Sequence, residues 1–300
     1  MNPQPESAKH ARLLDGKALA QRIRDELAAQ LAGPLAKHGR APCLAVVRVG
    51  DDPASEVYVR NKHKACTEVG IESRRVELPA SAAADALKAV VDALNADPVV
   101  DGILVQLPLP DHIAAAAVRS WVDPTKDVDA LHPENAGLLA AGEPRFIPCT
   151  PAGCLELLRA NGIETSGRRA VVIGRSLIVG RPMSILLSLP GIDATVTVCH
   201  SRTTDLAAVC GGADIIIAAA GKPELLRAAH VRPGAAVVDV GIHRVADASR
   251  KSGWRLVGDV HPEVAEVAGY LSPVPGGVGP MTIAMLLRNA VESFQRRIEG

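Results

Sequence analysis

A few residues in the first half of the chain have the types and spacing for proton chemistry. Tyr58 and Lys62 are four apart in Tyr58-Val59-Arg60-Asn61-Lys62, so on a helix they share one face. A tyrosine ring beside a lysine near a cleft offers a stacking plate and an amine that can take or give a proton. The same spacing also suits a tyrosine half in the core beside a solvated lysine. Gln106 closes an apolar run and is followed by Leu107-Pro108-Leu109-Pro110, where two prolines in four positions freeze the loop. Lys126-Asp127-Val128-Asp129 then carries two aspartates two apart. In an extended segment they point to opposite sides, so one could face a ligand while the other pairs with Lys126.

The second half has the pattern of an anion site. Val171-Val172-Ile173-Gly174-Arg175-Ser176-Leu177-Ile178-Val179-Gly180-Arg181-Pro182 reads as buried strand, glycine turn and helix, with the helix under way at Met183. Glycines let the backbone approach a ligand, and free N–H groups at the helix start would face a phosphate. The spacing is not G-x-G-x-x-G, and ordinary turn glycines remain an alternative. An NAD site needs a carboxylate about 20 residues beyond such a turn, for the ribose 2′-hydroxyl. Here the next strand, Ala194–Val198, runs into His200-Ser201-Arg202, with no carboxylate before Asp205. A hydroxyl and a cation there, with Arg175 in the turn, predict NADP in preference to NAD.

These residues need elements to hold them. Leu19, Ile23, Leu27 and Leu31 predict a helix over Asp15–Ala36, weakened or ended at Gly33-Pro34. Strands are expected at Leu44–Val49, Ser73–Leu78 and Val99–Val105, and helices at Ala54–Val69, stopped by Gly70, and Ala82–Asn95. After Pro148-Cys149-Thr150-Pro151, a helix capped by Thr150 is expected to run to Ala160. Asp214–Ala219 and Ala236–Val240 are further buried strands, ending in Gly221-Lys222-Pro223 and Gly241-Ile242. Pro273-Val274-Pro275-Gly276-Gly277-Val278-Gly279-Pro280 is a punctuated loop suited to the border of a site, and it leads into a helix over Met281–Arg297. Strands alternating with helices imply parallel sheets, with ligands beyond the carboxyl ends of the strands.

Composition narrows the function classes. The chain has 300 residues, enough for two domains, with 48% hydrophobic and 2% aromatic residues, so its core must be aliphatic. Thirty-three basic residues balance 33 acidic ones, which argues against nucleic acid or an acidic membrane surface as partner. The six cysteines show no C-x-x-C pair and the histidines no H-x-x-x-H pair, so buried reduced thiols and no metal are expected. No apolar stretch reaches the roughly 18 residues of a membrane span. The polar start, Met1 to His10, has no signal-peptide core, and a cytoplasmic protein of enzyme size is expected.

Several of these stretches, taken together and in order, resemble the bifunctional methylenetetrahydrofolate dehydrogenase/methenyltetrahydrofolate cyclohydrolase family. They are Tyr58 to Lys62, Val105 to Pro110, Lys126 to Asp129, Gly174-Arg175-Ser176 with Ile178-Val179-Gly180, Val238-Asp239-Val240-Gly241-Ile242, and Pro273 through Pro280. The resemblance spans residues 13 to 290. It implies two α/β domains with a folate cleft between them. Residues 1–150 with the C-terminal helix 281–300 would form the folate-binding catalytic domain, and 151–280 a Rossmann-like NADP-binding domain. Homodimers through the dinucleotide domain are implied as well.

By the same resemblance Lys62 is the key catalytic residue, Tyr58 packs on the folate, and Gln106 and Asp129 assist. Gly174 to Ser176 and Ile242 line the NADP, where Ser201 and Arg202 are expected from the strand-end reading, and Pro273, Gly276 and Gly277 are expected to border the tetrahydrofolate substrate. The implied reaction oxidises 5,10-methylenetetrahydrofolate to the methenyl cation and then hydrolyses it to 10-formyltetrahydrofolate. A charged lysine would oppose formation of that cation, so Lys62 is expected to be partly buried with a lowered pKa. The chain departs from the family at Ala130, where glycine is usual. If that position needs positive φ, alanine costs about 1 kcal/mol. Ser272 stands where threonine is commoner, and the hydroxyl is kept.

Overall fold

A computed structural model describes residues 10–250 and 252–299, so most of the polar leader expected at the start lies outside the described residues. The chain divides into two compact units. One, called here the lysine unit, comprises Ala20–Cys149 and the chain from Thr282 onward; the other, the glycine-turn unit, comprises the chain up to Leu19 and Thr150–Met281.

The chain opens with strand β1 (Arg12–Leu13) and helix α1 (Gly16–His38). Leu19, Ile23, Leu27 and Leu31 are buried, as the spacing predicted. The helix does not stop at Gly33-Pro34: Pro34 lies inside it, and the stop is Gly39, at φ +67°, with its N–H on the Leu35 carbonyl. Pro34 follows the last fully buried position, so the crowding it brings falls on an exposed final turn.

Strand β2 (Cys43–Val49), helix α2 (Pro53–Val69), strand β3 (Glu72–Leu78), helix α3 (Ala84–Ala96) and strand β4 (Gly102–Val105) follow. They form a parallel sheet in the order β3-β2-β4, with β2 central and almost wholly buried. Beyond it come helices α4 (Ala115–Arg119) and α5 (Pro133–Ala141). The fourth strand begins at Gly102, not Val99. Pro98 cannot donate to a ladder, Val99 is exposed, and the fully buried Asp101 turns its carboxylate to Arg40 and the Cys43 N–H.

Helix α6 (Cys149–Ala160) starts one residue before the predicted cap, so Thr150 lies in its first turn. The glycine-turn unit continues with strand β5 (Arg169–Ile173), helix α7 (Gly180–Ser188), strand β6 (Thr195–Cys199), helix α8 (Leu206–Cys210), strand β7 (Ile215–Ala218) and strand β8 (Ala236–Asp239). An antiparallel hairpin of β9 (His243–Ala246) and β10 (Trp254–Val257), then β11 (Tyr270–Leu271) and helix α9 (Val278–Glu299), complete the chain. The sheet is parallel, in the order β1-β11-β8-β7-β5-β6. From β5 the chain steps to one side for β6 and then to the other for β7. That reversal opens a crevice at the carboxyl end of β5, where Gly174 stands. β5, β7 and β8 are continuous Val, Ile and Ala runs because both faces of such a sheet are covered.

A division at residue 150 would assign the first residues to the lysine unit. Pairing of Arg12 with Tyr270 and Leu13 with Leu271 assigns them instead to the glycine-turn unit. All six cysteines are free and buried, as expected. Among the described residues no helix is long and apolar enough to cross a membrane.

Candidate active site

α2 leaves the carboxyl end of β2 and carries Tyr58 and Lys62 one turn apart. Tyr58 is half-buried and Lys62 is only 7% exposed, so the solvated-lysine alternative fails. The Lys62 Nζ donates to Gln106 Oε1 at 2.8 Å. Gln106 in turn donates through Nε2 to the Leu107 carbonyl at 2.6 Å, which fixes the amide with its oxygen toward the lysine. Its backbone N–H continues the ladder onto the Val47 carbonyl, and a cis Leu107–Pro108 bond follows.

Burial lowers the Lys62 pKa, partly offset by the charge of Asp129 and, less, by Cys149 and Cys66. Burial likewise raises the Tyr58 hydroxyl. The buried Cys149 thiol is held well above its usual value by burial, then by the charge of Asp129 and a hydrogen bond with it. Both sulfurs beside Lys62 are therefore neutral thiols, and Asp129 is the carboxylate that acts on the amine. The predicted Tyr58, Lys62, Gln106 and Asp129 do come together, with Cys149 as a neighbour that no spacing announced.

The expected pairing of Lys126 with an aspartate is not what forms. Lys126 is 2% exposed, and its Nζ donates to the carbonyls of Leu94, Asn95 and Asp97, closing the end of α3. Carbonyls at the C-terminal end of a helix favour a cation, while the aspartate next in sequence already has other donors. Asp127 has them: the His132 N–H at 2.7 Å and Asn135 Nδ2 at 2.9 Å. Burial raises its pKa. Asp127 and Asp129 also line a small hollow with Val105, Leu107, Arg119 and Leu131. Ala130 sits at φ 57°, the left-handed conformation that favours glycine, and is buried.

The segment that carries Asp129 is held from the end of the chain. Asn289 on α9 donates through Nδ2 to the Val128 carbonyl at 2.8 Å and the Ile147 carbonyl at 3.0 Å. One turn on, Ser293 Oγ is bonded to the carbonyls of Asp101 and Thr125. Neither residue stands out in the sequence as a site residue. The available signal was two polar residues four apart within the apolar run of α9.

In the glycine-turn unit, Gly174 stands at φ +124°, and a side chain there would collide with the Ala219 carbonyl. A side chain on Gly180 would collide with the Gly174 carbonyl. The off-pattern spacing is thus a close-packed turn and not loose punctuation. One expectation changes. The N–H groups at the start of α7 are not free, because Val179 and Gly180 donate to Ser176 Oγ and Arg181 to the Ser176 carbonyl. An anion there would meet the exposed Arg175 side chain and the turn itself. Gly174 donates to the Cys199 carbonyl, so the exposed Ser201 and Arg202 follow directly on the strand end beside the turn. Ile242, 47% exposed, lies past β8 at the same edge. Pro273, Gly276 and Gly277 belong to this unit too. Gly277 donates to the Pro273 carbonyl, and the Gly276 carbonyl accepts from Lys17.

A doubly wound parallel sheet with a glycine turn at its switch point marks a dinucleotide-binding unit, and a second α/β unit with a buried lysine–amide pair supplies a site for proton chemistry. This combination defines a two-domain, dinucleotide-dependent enzyme. The chain belongs to the tetrahydrofolate dehydrogenase/cyclohydrolase family. Residues 14–129 match its catalytic domain and residues 148–298 its NAD(P)-binding domain. The chain is 54% identical over 285 residues to the bifunctional protein FolD of Synechococcus sp. (strain WH7803), covering 95% of this chain and 94% of that one. It resembles the crystal structure of the Campylobacter jejuni bifunctional FolD dehydrogenase/cyclohydrolase at a TM-score of 0.90 and 48% identity, covering 96% and 99% of the two chains. It resembles the Trypanosoma brucei enzyme, complexed with NADP cofactor and inhibitor, at a TM-score of 0.93 and 43% identity, covering 98% and 100%.

Proposed function

We propose that the protein oxidises 5,10-methylenetetrahydrofolate with NADP and hydrolyses the resulting methenyl cation to 10-formyltetrahydrofolate, with Lys62 at the centre of both steps. The observation that carries the reading is the buried Lys62 donating to an oriented Gln106 beside Asp129.

NADP, when bound, accepts the hydride from the one-carbon bridge. The residues present suit it: the turn at Gly174 and Gly180 has no room for side chains, and Arg175, Ser201 and Arg202 offer charge and a hydroxyl to a 2′-phosphate. In the oxidation the substrate acquires positive charge. A lysine with a lowered pKa does not oppose that, whereas a permanent ammonium would. Tyr58 supplies a ring for the pterin to stack on. Asp129, half-buried, accepts hydrogen bonds from the N–H groups of the pterin-like ring. In the hydrolysis Lys62 takes the proton of the attacking water or relays it, and Gln106 holds the amine on its aim. Pro273, Gly276 and Gly277 border the folate.

The proposal extends to a cytoplasmic homodimer that binds neither nucleic acid nor membrane. Balanced charge and six free thiols support it, and so does the exposed Val198 on the edge strand β6, where a second copy could pair. Incubation with methylenetetrahydrofolate and NADP, followed by absorbance, tests the chemistry. NADPH should appear while little methenyl product accumulates. Absence of NADPH would refute the enzyme reading in favour of a nucleotide-binding module. Methenyl product building up in step with NADPH would leave a dehydrogenase alone.

A further inference from the structure

A heavily bonded polar cluster outside the lysine site lies at the base of the β9–β10 hairpin. The chain enters the hairpin through Gly241-Ile242 and leaves it through Gly258-Asp259, and His243 pairs with Val257 across that base. Two buried carboxylates pin these crossings. Asp239, the last residue of β8 and 4% exposed, accepts from the N–H groups of Gly241 (3.0 Å), Asp259 (2.8 Å) and Val260 (3.0 Å). Asp259, 1% exposed, accepts from Gly221 N–H at 2.9 Å on one oxygen. Its other oxygen accepts from Lys222 N–H at 3.0 Å and His243 Nε2 at 2.7 Å.

The glycines around the pair follow from it. A Cβ on Gly258 would strike the Asp239 carboxylate, and one on Gly241 would strike that of Asp259. Burial pushes Asp239 up to about 7, with the charge of Asp259 adding to the rise and the N–H donors opposing it. Asp259 is the member of the pair in contact with His243. What the cluster holds is specific: Gly221-Lys222 follows β7 and Ile242 follows β8, both at the carboxyl edge where a parallel sheet binds its ligand.

We propose that Asp259, backed by Asp239 and His243, is a positioning residue for the dinucleotide, fixing the segments after β7 and β8 against which the cofactor lies. The inference rests on the reading of this unit as the NADP site. An aspartate is required because three donors converge on two oxygens. Asparagine has the same shape but turns an NH2 group toward at least one of them.

The two activities separate positioning from folding. In Asp259→Asn the NADP KM of the dehydrogenase should rise on the order of tenfold, the loss expected of a buried hydrogen bond to a charged group. Hydrolysis of added methenyltetrahydrofolate without NADP should stay within about twofold of the wild type. An unchanged NADP KM, or an equal fall in both activities, would overturn the proposal. If Asp259→Asn does not fold, His243→Ala decides. It removes one donor and leaves the carboxylate on Gly221 and Lys222, so a several-fold rise in NADP KM supports the proposal and no rise overturns it. Titration of NADP into wild type and variant distinguishes failures: a wild type that binds NADP but turns nothing over sinks the enzyme reading, while weaker binding in the variant still upholds Asp259.

Discussion

Replacing Lys62 by methionine asks the site for two opposite answers. The change keeps the length and apolar stem of the side chain and removes the amine. For catalysis the loss is that of a positioned proton-transfer group, about 10²- to 10⁴-fold in the hydrolysis rate. For stability, two effects of similar size compete. The Gln106 carbonyl oxygen, now without its 2.8 Å donor, costs roughly 1–3 kcal/mol if nothing replaces it. Against that, an amine whose pKa burial has already lowered no longer has to be kept out of water. Thermal unfolding should therefore shift by less than about 2 kcal/mol in either direction while hydrolysis collapses. NADP affinity should persist, since Lys62 and the glycine turn belong to different compact units. The assay is the decay of methenyltetrahydrofolate absorbance, run beside a melting curve and an NADP titration. Hydrolysis within tenfold of the wild type in a folded variant would refute the role given to Lys62.

The pH profile offers a second reading of the same amine. Burial puts the folded Lys62 pKa below its ordinary 10.5, so the neutral fraction, and with it hydrolysis, should rise with pH to a plateau reached below that value. The stability linkage has the same sign: its contribution is present above the unfolded value and is lost as pH falls through the folded one. Asp129→Asn removes the charge that favours the ammonium, so the rising limb should move to lower pH, and a limb that stays put would contradict the coupling. Arg175→Ala and Arg202→Ala should each erode selectivity for NADP over NAD by about tenfold in kcat/KM; unchanged ratios in both would end the 2′-phosphate argument. Lys126→Met leaves the Leu94 and Asn95 carbonyls without that donor and the Asp97 carbonyl with the Val100 N–H alone, and urea unfolding should show a loss of roughly 2–4 kcal/mol. Ala130→Gly relieves a left-handed alanine by about 1 kcal/mol and forfeits a buried methyl worth about 0.8 kcal/mol, so the melting temperature should barely move. Ala130→Val at the same φ should lower it clearly.

What could be read from the sequence follows the range of the interaction. Runs such as Val171–Ile173 and Ile215–Ala218 announce buried parallel strands because local composition alone decides them. Tyr58, Lys62 and Gln106 were found because a helix period and a strand end place them, and family order then ruled out the surface reading. Lys126 departs from the local expectation because its carbonyl partners lie about 30 residues back, while the aspartate beside it in sequence has other donors. Pro34 and Val99 mark the limits of local rules: one is tolerated at an exposed helix end, the other excluded from a strand by the bonds of Asp101. Asn289 shows only as a polar position four before Ser293 on α9, and the pair Asp239–Asp259 leaves no periodic trace, since each joins segments far apart in the chain.

The clamp made by Asn289 and Ser293 sets an order on synthesis. Lys62, Gln106 and Asp129 have all been translated before the midpoint of the chain, but the segment leading to Asp129 is tied down by side chains more than 160 residues later. A chain that stops short of α9 contains the proposed site residues but lacks the Asn289 and Ser293 bonds to the backbone leading to Asp129. The full set of bonds on that segment is complete only once α9 has been made.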